Sequence, residues 1–487
     1  MAVSSAELYI GGELRPARSG RLRDVICPAT EEPVGQVAWA GADDARDALG
    51  ASQEAFATWS RTPIDERAEW MRRLAAAVAD DLDRLRECIM LEMGKPWEAT
   101  LYDAGMLQDC LEFFAEALLQ QREEVIPDRA GTHVHYLVRH PVGPVVAVLA
   151  WNFPLLNIGY KVAPAIAAGC TITIKPSSHS PLSALAFGEI CEGVGMPPGV
   201  INVVTGSGSE VGEALVSSPI PRFITLIGSS ETGRRLVELS ASSVKKLSLE
   251  LGGNAPVLVF ADADVTKAAR EITELKFANA GQICVSPNRI FVHQSALEEF
   301  TQHAASIAEG LRIGSGPGVE ADMGPMVSAE ARERVAGLVQ DALAAGAELV
   351  TGGRAPEGFD RGYYYAPTIL RNVSPQMRVA REEIFGPVMP VISFGDEDDV
   401  VETANDTEYG LAAYVYTTDL ARGLRVPERL QFGSVSVNGP KYEVYLPHGG
   451  TKESGIGKDC SHLSLDEYSY VKRISIQLPE AGSPGGQ

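Results

Sequence analysis

From residue 145 onward, short apolar runs alternate with helical stretches, and this alternation constrains the fold more than any other property of the chain. Apolar runs at 145–150, 171–174, 200–204, 223–227 and 257–260 are separated by helix-like segments at 154–168, 182–194, 210–216 and 232–239. A strand that is apolar on both faces needs helices above and below it, so the pattern predicts an α/β fold with a doubly wound parallel sheet. A second series follows residue 250: a helix at 265–277, a strand at 290–293, helices at 296–310 and 329–345, and a strand at 388–394. Two such domains place residue 250 near their junction, and clefts between domains are where small molecules bind.

The first 121 residues differ in texture. Segments 44–59, 65–93 and 101–121 carry helical apolar spacing and are rich in Ala, Leu and Glu, so they read as long amphipathic helices. Segments 132–138 and 470–476 alternate in the manner of strands and are predicted to project from the main sheets. Exposed strand edges must be covered or paired, so a homo-oligomer is expected. Residues 481–487 read as a Gly/Pro tail.

With 487 residues, the chain is long enough for two or three domains. Its net charge of −22 argues against a nucleic-acid surface, which needs a basic stripe to displace counterions. No stretch approaches a membrane span, and the first residues lack a basic region followed by an apolar one. Seven cysteines without paired short spacings fit a reducing compartment, and the expected location is cytoplasmic. The eight histidines form no HExxH, and no metal site is predicted.

Cys284 stands apart from the other six cysteines. It follows Gly281 and the polar Gln282, which suits a thiol held in a cleft, whereas Cys88 and Cys110 lie in helical runs and Cys170 precedes a strand. Upstream, Glu250 opens Glu250-Leu251-Gly252-Gly253-Asn254. A thiol and a carboxylate, each flanked by glycine, suit covalent catalysis followed by base-assisted release. Two glycine turns join strands to helices. Gly206-Ser207-Gly208 through Gly212 is spaced GxGxxxG, and Gly228-Ser229 through Gly233 lies at a helix start; each offers backbone amides to a pyrophosphate or, alternatively, tight strand–helix packing.

Taken in order, these segments resemble the aldehyde dehydrogenase superfamily. The resemblance rests on Trp151-Asn152-Phe153-Pro154, Lys175-Pro176-Ser177, Gly228-Ser229, Glu250 to Asn254, Gly281 to Cys284, Glu383-Ile384-Phe385-Gly386-Pro387 and Pro447-His448-Gly449-Gly450, and it spans nearly the whole chain. It implies a Rossmann-like cofactor domain (1–121 and 143–252), an α/β catalytic domain (253–455), and a projecting β oligomerisation element with the C-terminal tail (122–142 and 456–487). The implied partners are a small-molecule aldehyde and copies of the chain, as a homodimer or homotetramer. The activity it implies is NAD(P)-dependent oxidation of an aldehyde to the acid.

By that resemblance, Cys284 attacks the carbonyl, Asn152 supplies an amide to the oxyanion, and Glu250 activates the hydrolytic water. Lys161 matches a family lysine near the site, although a surface lysine on its helix is an equal reading. Lys175, Gly208, Gly228, Ser229, Glu383 and Phe385, with Ala150 and Trp151, form the implied cofactor set for NAD or NADP. Ser178 stands where many NAD-linked relatives carry a glutamate; a serine does not repel a 2′-phosphate, which leaves room for NADP.

Met106, Tyr160, Ile283, Val285, Tyr442, Tyr445 and His448 align with the substrate tunnel. A small polar-substituted, semialdehyde-like aldehyde is expected, with an ω-aminoaldehyde as the alternative. Asp103, Glu443 and the tyrosines suit a cation, Lys441 and His448 suit an anion, and Tyr160 replaces the arginine of some succinate-semialdehyde relatives. A cysteine esterase without redox activity is the alternative from another class.

Overall fold

In the computed structural model, which describes residues 3–479, the alternating segments build two parallel-stranded sheets. The first has five parallel strands in the order Lys246–Glu250, Phe223–Ile227, Val145–Val148, Ile172–Lys175 and Ile201–Val203. The chain runs outward in one direction from Val145–Val148 and resumes on its other side with Phe223–Ile227. The strand order therefore reverses between these two strands, which opens a crevice at their carboxyl ends.

Antiparallel strands extend both edges. Leu8–Ile10 and Glu13–Arg15 lie beyond Ile201–Val203, and Gly455–Ile456 pairs with Lys246–Glu250 through Leu249–Ile456 and Glu250–Gly455. The helix Pro154–Ala168, apolar apart from Asn157, Tyr160 and Lys161, is buried along its whole length and packs on Trp97–Gln120, as a helix without a polar face must be.

The second sheet orders Glu348–Thr351, Thr368–Arg371, Val388–Phe394, Pro287–His293, Ala255–Val259, Ala412–Tyr416 and Ser434–Val437, all parallel except the first pair. Each sheet has its own apolar core. A third, three-stranded sheet pairs Ser469–Gln477 with His133–Pro141 over nine residues and adds Glu124–Pro127. It carries exposed Val125, Ile126, Tyr470, Val471 and Ile476.

Several expectations are corrected. Segment 65–93 is two helices, Ile64–Asp80 and Leu82–Met93, because Asp81 leaves helical geometry and its carboxylate takes Arg84. The helix expected at 210–216 is a wide π turn, Gly208–Gly212, followed by the short Glu213–Ser217. The amino-terminal region is not purely helical, since strands Leu8–Ile10, Leu22–Ile26 and Pro33–Ala38 precede its helices. Residues 456–468, grouped with the arm on sequence, supply Ile456 to the first sheet and helix Ser461–Glu467 against Pro154–Ala168. The tail at 481–487 lies outside the described residues. No helix among the described residues is long and apolar enough to cross a membrane.

Candidate active site

Cys284 is delivered by an unusual turn. After helix Val265–Phe277, Asn279, Ala280 and Gly281 take successive positive φ values of 48°, 54° and 72°. A Cβ on Gly281 would lie 2.2 Å from the Gly386 carbonyl oxygen, so this hook tolerates only glycine there. On the other side, a Cβ on Gly253 would meet the Cys284 carbonyl oxygen at 2.3 Å. Backbone contacts with Gly386 and Gly253 therefore seat the Cys284 turn from two sides. Gln282 is buried: it donates to the Asn279 and Pro325 carbonyls and accepts from Val327 N–H at 2.9 Å, pinning the turn from below.

Glu250 ends its strand at the crevice and is buried. The ligand atoms of Glu250, Cys284 and His448 all lie within 4.8 Å of one another, and His448 Nε2 is 3.2 Å from Glu250 Oε1. Burial, reinforced by the Glu250 carboxylate, pushes the Cys284 thiol well above its ordinary pKa. Both effects favour the neutral thiol over the thiolate, with an acceptor beside it. Asn152 is buried and its side-chain amide donates to the Gln282 carbonyl at 3.1 Å, which fixes it against the Cys284 turn.

Lys161 is not a surface residue. It is fully buried, and its ammonium donates to both oxygens of Asp459 at 2.6 and 2.7 Å. Asp459 in turn exchanges two backbone hydrogen bonds with His448, which links this ion pair to the Glu250 cluster.

Asn152, Glu250, Cys284 and His448 share one cavity of about 820 Å³ that starts at the switch-point crevice and is lined also by Val148–Trp151, Leu226–Ser229, Glu383 and Phe385. Its two ends differ. At one end, Ser229 caps helix Ser230–Ser240 and leaves first-turn N–H groups facing the opening. Glu383 accepts from Gly253 N–H at 2.8 Å, and burial raises its carboxyl to about 7. Phe385, at a positive φ of 49°, stacks edge-on against Trp151 at 5.5 Å. Lys276, behind Glu383, is fully buried without a hydrogen-bond partner, and burial lowers it to about 7.

Lys175, Ser178 and Gly208 stand apart from that lining. Lys175 is buried and its ammonium reaches only the Pro176 carbonyl, at 3.2 Å; burial and then Arg23 lower it to about 8. Ser178 is half-buried beside it, and Gly208 opens the nearby π turn, whose Gly212 packs on the Lys175 side chain. Burial, and then Arg23, also lower the pKa of His179. An under-partnered ammonium, a second cation and no glutamate at 178 fit a phosphorylated, hydroxyl-rich group. Arg23 was invisible to local sequence reading because it arrives from an amino-terminal strand.

At the other end, Tyr102, Phe153, Tyr160, Ile283, Val285, Tyr442 and His448 line the cavity. Met106, expected in the tunnel, instead packs in the first core, because it points to the buried side of Trp97–Gln120. Tyr445 is 54% exposed and does not line this cavity. The charged candidates are already occupied: Asp103 holds Lys95 at 2.7 Å and two backbone amides, and exposed Lys441 pairs with Glu443 at 2.5 Å.

Residues 15–474 match the "Aldehyde dehydrogenase family". The chain belongs to that family. It is an NAD(P)-dependent oxidoreductase that oxidises an aldehyde. The succinate-semialdehyde dehydrogenase [NADP(+)] GabD of Escherichia coli K12 is 39% identical, with 97% of this chain and 98% of that protein covered. The 3-sulfolactaldehyde dehydrogenase of Pseudomonas putida is also 39% identical, with 96% of each covered. Among solved structures, betaine aldehyde dehydrogenase from Staphylococcus aureus in complex with NAD+ superposes with a TM-score of 0.94 at 32% identity, covering 99% of this chain and 97% of that one.

Proposed function

We propose that this aldehyde dehydrogenase acts on a small polar-substituted aldehyde, reads its far end with hydroxyls and an imidazole in place of a formal charge, and prefers NADP. The mechanism rests on the convergence of Cys284, Glu250 and Asn152 in one cavity. Cys284 Sγ attacks the carbonyl carbon as its proton passes to Glu250, and the developing oxyanion is held by the Asn152 amide and the Cys284 backbone N–H. The nicotinamide cofactor, when bound, supplies the hydride acceptor. Lys175 and Ser178 would hold its adenosine ribose, the N–H groups at Ser229 its pyrophosphate, and Glu383 its nicotinamide ribose. Once that first proton has left to solvent and the acyl group stands on sulfur, Glu250 takes a proton from water, which attacks the thioester and releases the acid, and the proton then passes to the departing sulfur to restore the thiol.

The substrate reading rests on the pairing of Lys95 with Asp103 and of Lys441 with Glu443, which leaves no free lysine or arginine at that end among the described residues. The faces of Tyr102, Tyr160 and Tyr442 favour a cationic aminoaldehyde as the second reading. Kinetics with equal-length aldehydes ending in hydroxyl, carboxylate or trimethylammonium groups test this. The hydroxyl-ended compound is expected to lead the carboxylate by about tenfold in kcat/KM, about 1.4 kcal/mol; a carboxylate preference overturns the reading. A trimethylammonium preference selects the second.

The exposed apolar face of the three-stranded sheet favours association with further copies, and seven free cysteines favour a reducing, cytoplasmic setting. Light scattering is expected to give a dimer or tetramer; a monomer at micromolar concentration refutes that assembly.

A further inference from the structure

Glu250, Cys284 and His448 have a second chemical identity. They offer a carboxylate oxygen, a sulfur and an imidazole nitrogen, all within 4.8 Å of one another. Zinc takes these three ligand types at about 2.0–2.3 Å, which sets tetrahedral ligand atoms about 3.3–3.8 Å apart. Glu250 Oε1 and His448 Nε2 already lie at 3.2 Å, so small side-chain rotations suffice.

The three backbones are held independently. Glu250 is locked between Ile227 and Gly455, Cys284 is seated by the Gly253 contact, and His448 exchanges hydrogen bonds of 2.8 and 2.7 Å with Asp459. Glu250 is buried, and among the described residues it pairs with no lysine or arginine. The cluster opens onto the cavity, which leaves a fourth position for water. His448 is the particular contribution of this chain: the phenylalanine of the more familiar Pro-Phe-Gly-Gly segment supplies no ligand.

We propose that Zn²⁺, or a divalent ion of similar softness, binds Cys284, Glu250 and His448 reversibly and switches the enzyme off. The ion is an inhibitor and not a cofactor. Binding replaces the thiol proton, which leaves to solvent, with a sulfur–metal bond, while Glu250 and His448 complete the set. Nucleophile and base are withdrawn together, so metal and aldehyde exclude each other.

Direct binding tests this without turnover. Reduced, chelator-treated full-length protein is dialysed against Zn²⁺, and Co²⁺ is added in parallel as a spectroscopic probe. The expected result is one Zn²⁺ per chain and a sulfur-to-cobalt absorption band. Cys284→Ser should remove the band, and His448→Phe should weaken Zn²⁺ binding at least about tenfold. His448→Gln, which retains a polar side chain of similar reach, repeats the test should the phenylalanine variant misfold. Zn²⁺ affinity unchanged within twofold in the folded His448 variant, or no cobalt–sulfur band in the wild type, overturns the site. Dehydrogenase activity of the metal-free wild type is read separately, so failure of the zinc site and failure of the proposed oxidation are distinguishable.

Discussion

The two ends of the central cavity are built from different materials. At the proposed cofactor end, backbone approach sets the geometry: a Cβ on Gly252 would fall 2.6 Å from a Glu383 oxygen, and one on Gly253 would strike the Cys284 carbonyl. At the aldehyde end the walls are side chains, chiefly Tyr102, Phe153, Tyr160 and Tyr442, carried on two helices and the loop near residue 442. A wall of backbone admits few substitutions, whereas a wall of side chains can be rebuilt residue by residue. The difference teaches that chemistry and cofactor are specified by the scaffold, and selectivity by what decorates it.

That contrast can be broken most strongly at the junction of the two ends. Cys284→Ala is expected to lower aldehyde oxidation by at least about four orders of magnitude, while NADP affinity stays within about twofold; equal losses in both would mean that the thiol shapes the cofactor end. Glu250→Gln should slow thioester hydrolysis by about 10²–10⁴-fold, and mass spectrometry after aldehyde addition should detect the retained acyl group. A full rate with no adduct removes Glu250 from that step.

A smaller effect is expected within the cofactor end. Ser178→Glu should shift the NADP-to-NAD ratio of kcat/KM about tenfold or more toward NAD, about 1.4 kcal/mol, without reordering the aldehydes. A reordered aldehyde series would show that the two ends are coupled.

The smallest is a pH effect. Lys175 is depressed to about 8, below its ordinary value, so its charge is present below that pH and lost above it. NADP affinity measured by fluorescence should therefore weaken several-fold between about pH 7 and 9, and more than NAD affinity. A flat profile removes the lysine from the 2′-phosphate.

Much of this architecture is legible in the sequence, and for the same reason that the ends differ. Apolar runs on both faces of a strand announce a covered parallel sheet, and glycines beside Glu250 and Cys284 mark places where backbones touch. The amino-terminal strands escaped notice because Leu22–Ile26 is exposed at four of its five positions and carries no apolar period. At the site, the polarity of Gln282 does not tell which carbonyls lie within its reach. Lys161 needed Asp459, nearly 300 positions away in sequence, before its burial made sense. Met106 and Tyr160 carry the same apolar signal, and only helix orientation separates core from lining.

The short strand Gly455–Ile456, bound to the edge beside Glu250, gives the enzyme a built-in order of assembly. Glu250 leaves the ribosome long before two of its neighbours, Gly455 and His448, the latter 198 residues further along the chain. A product that stops short of residue 448 lacks both the edge strand and the imidazole that surround the base. The surroundings of the base are therefore completed only once residues 448–456 have been made, well after Glu250 and Cys284 themselves.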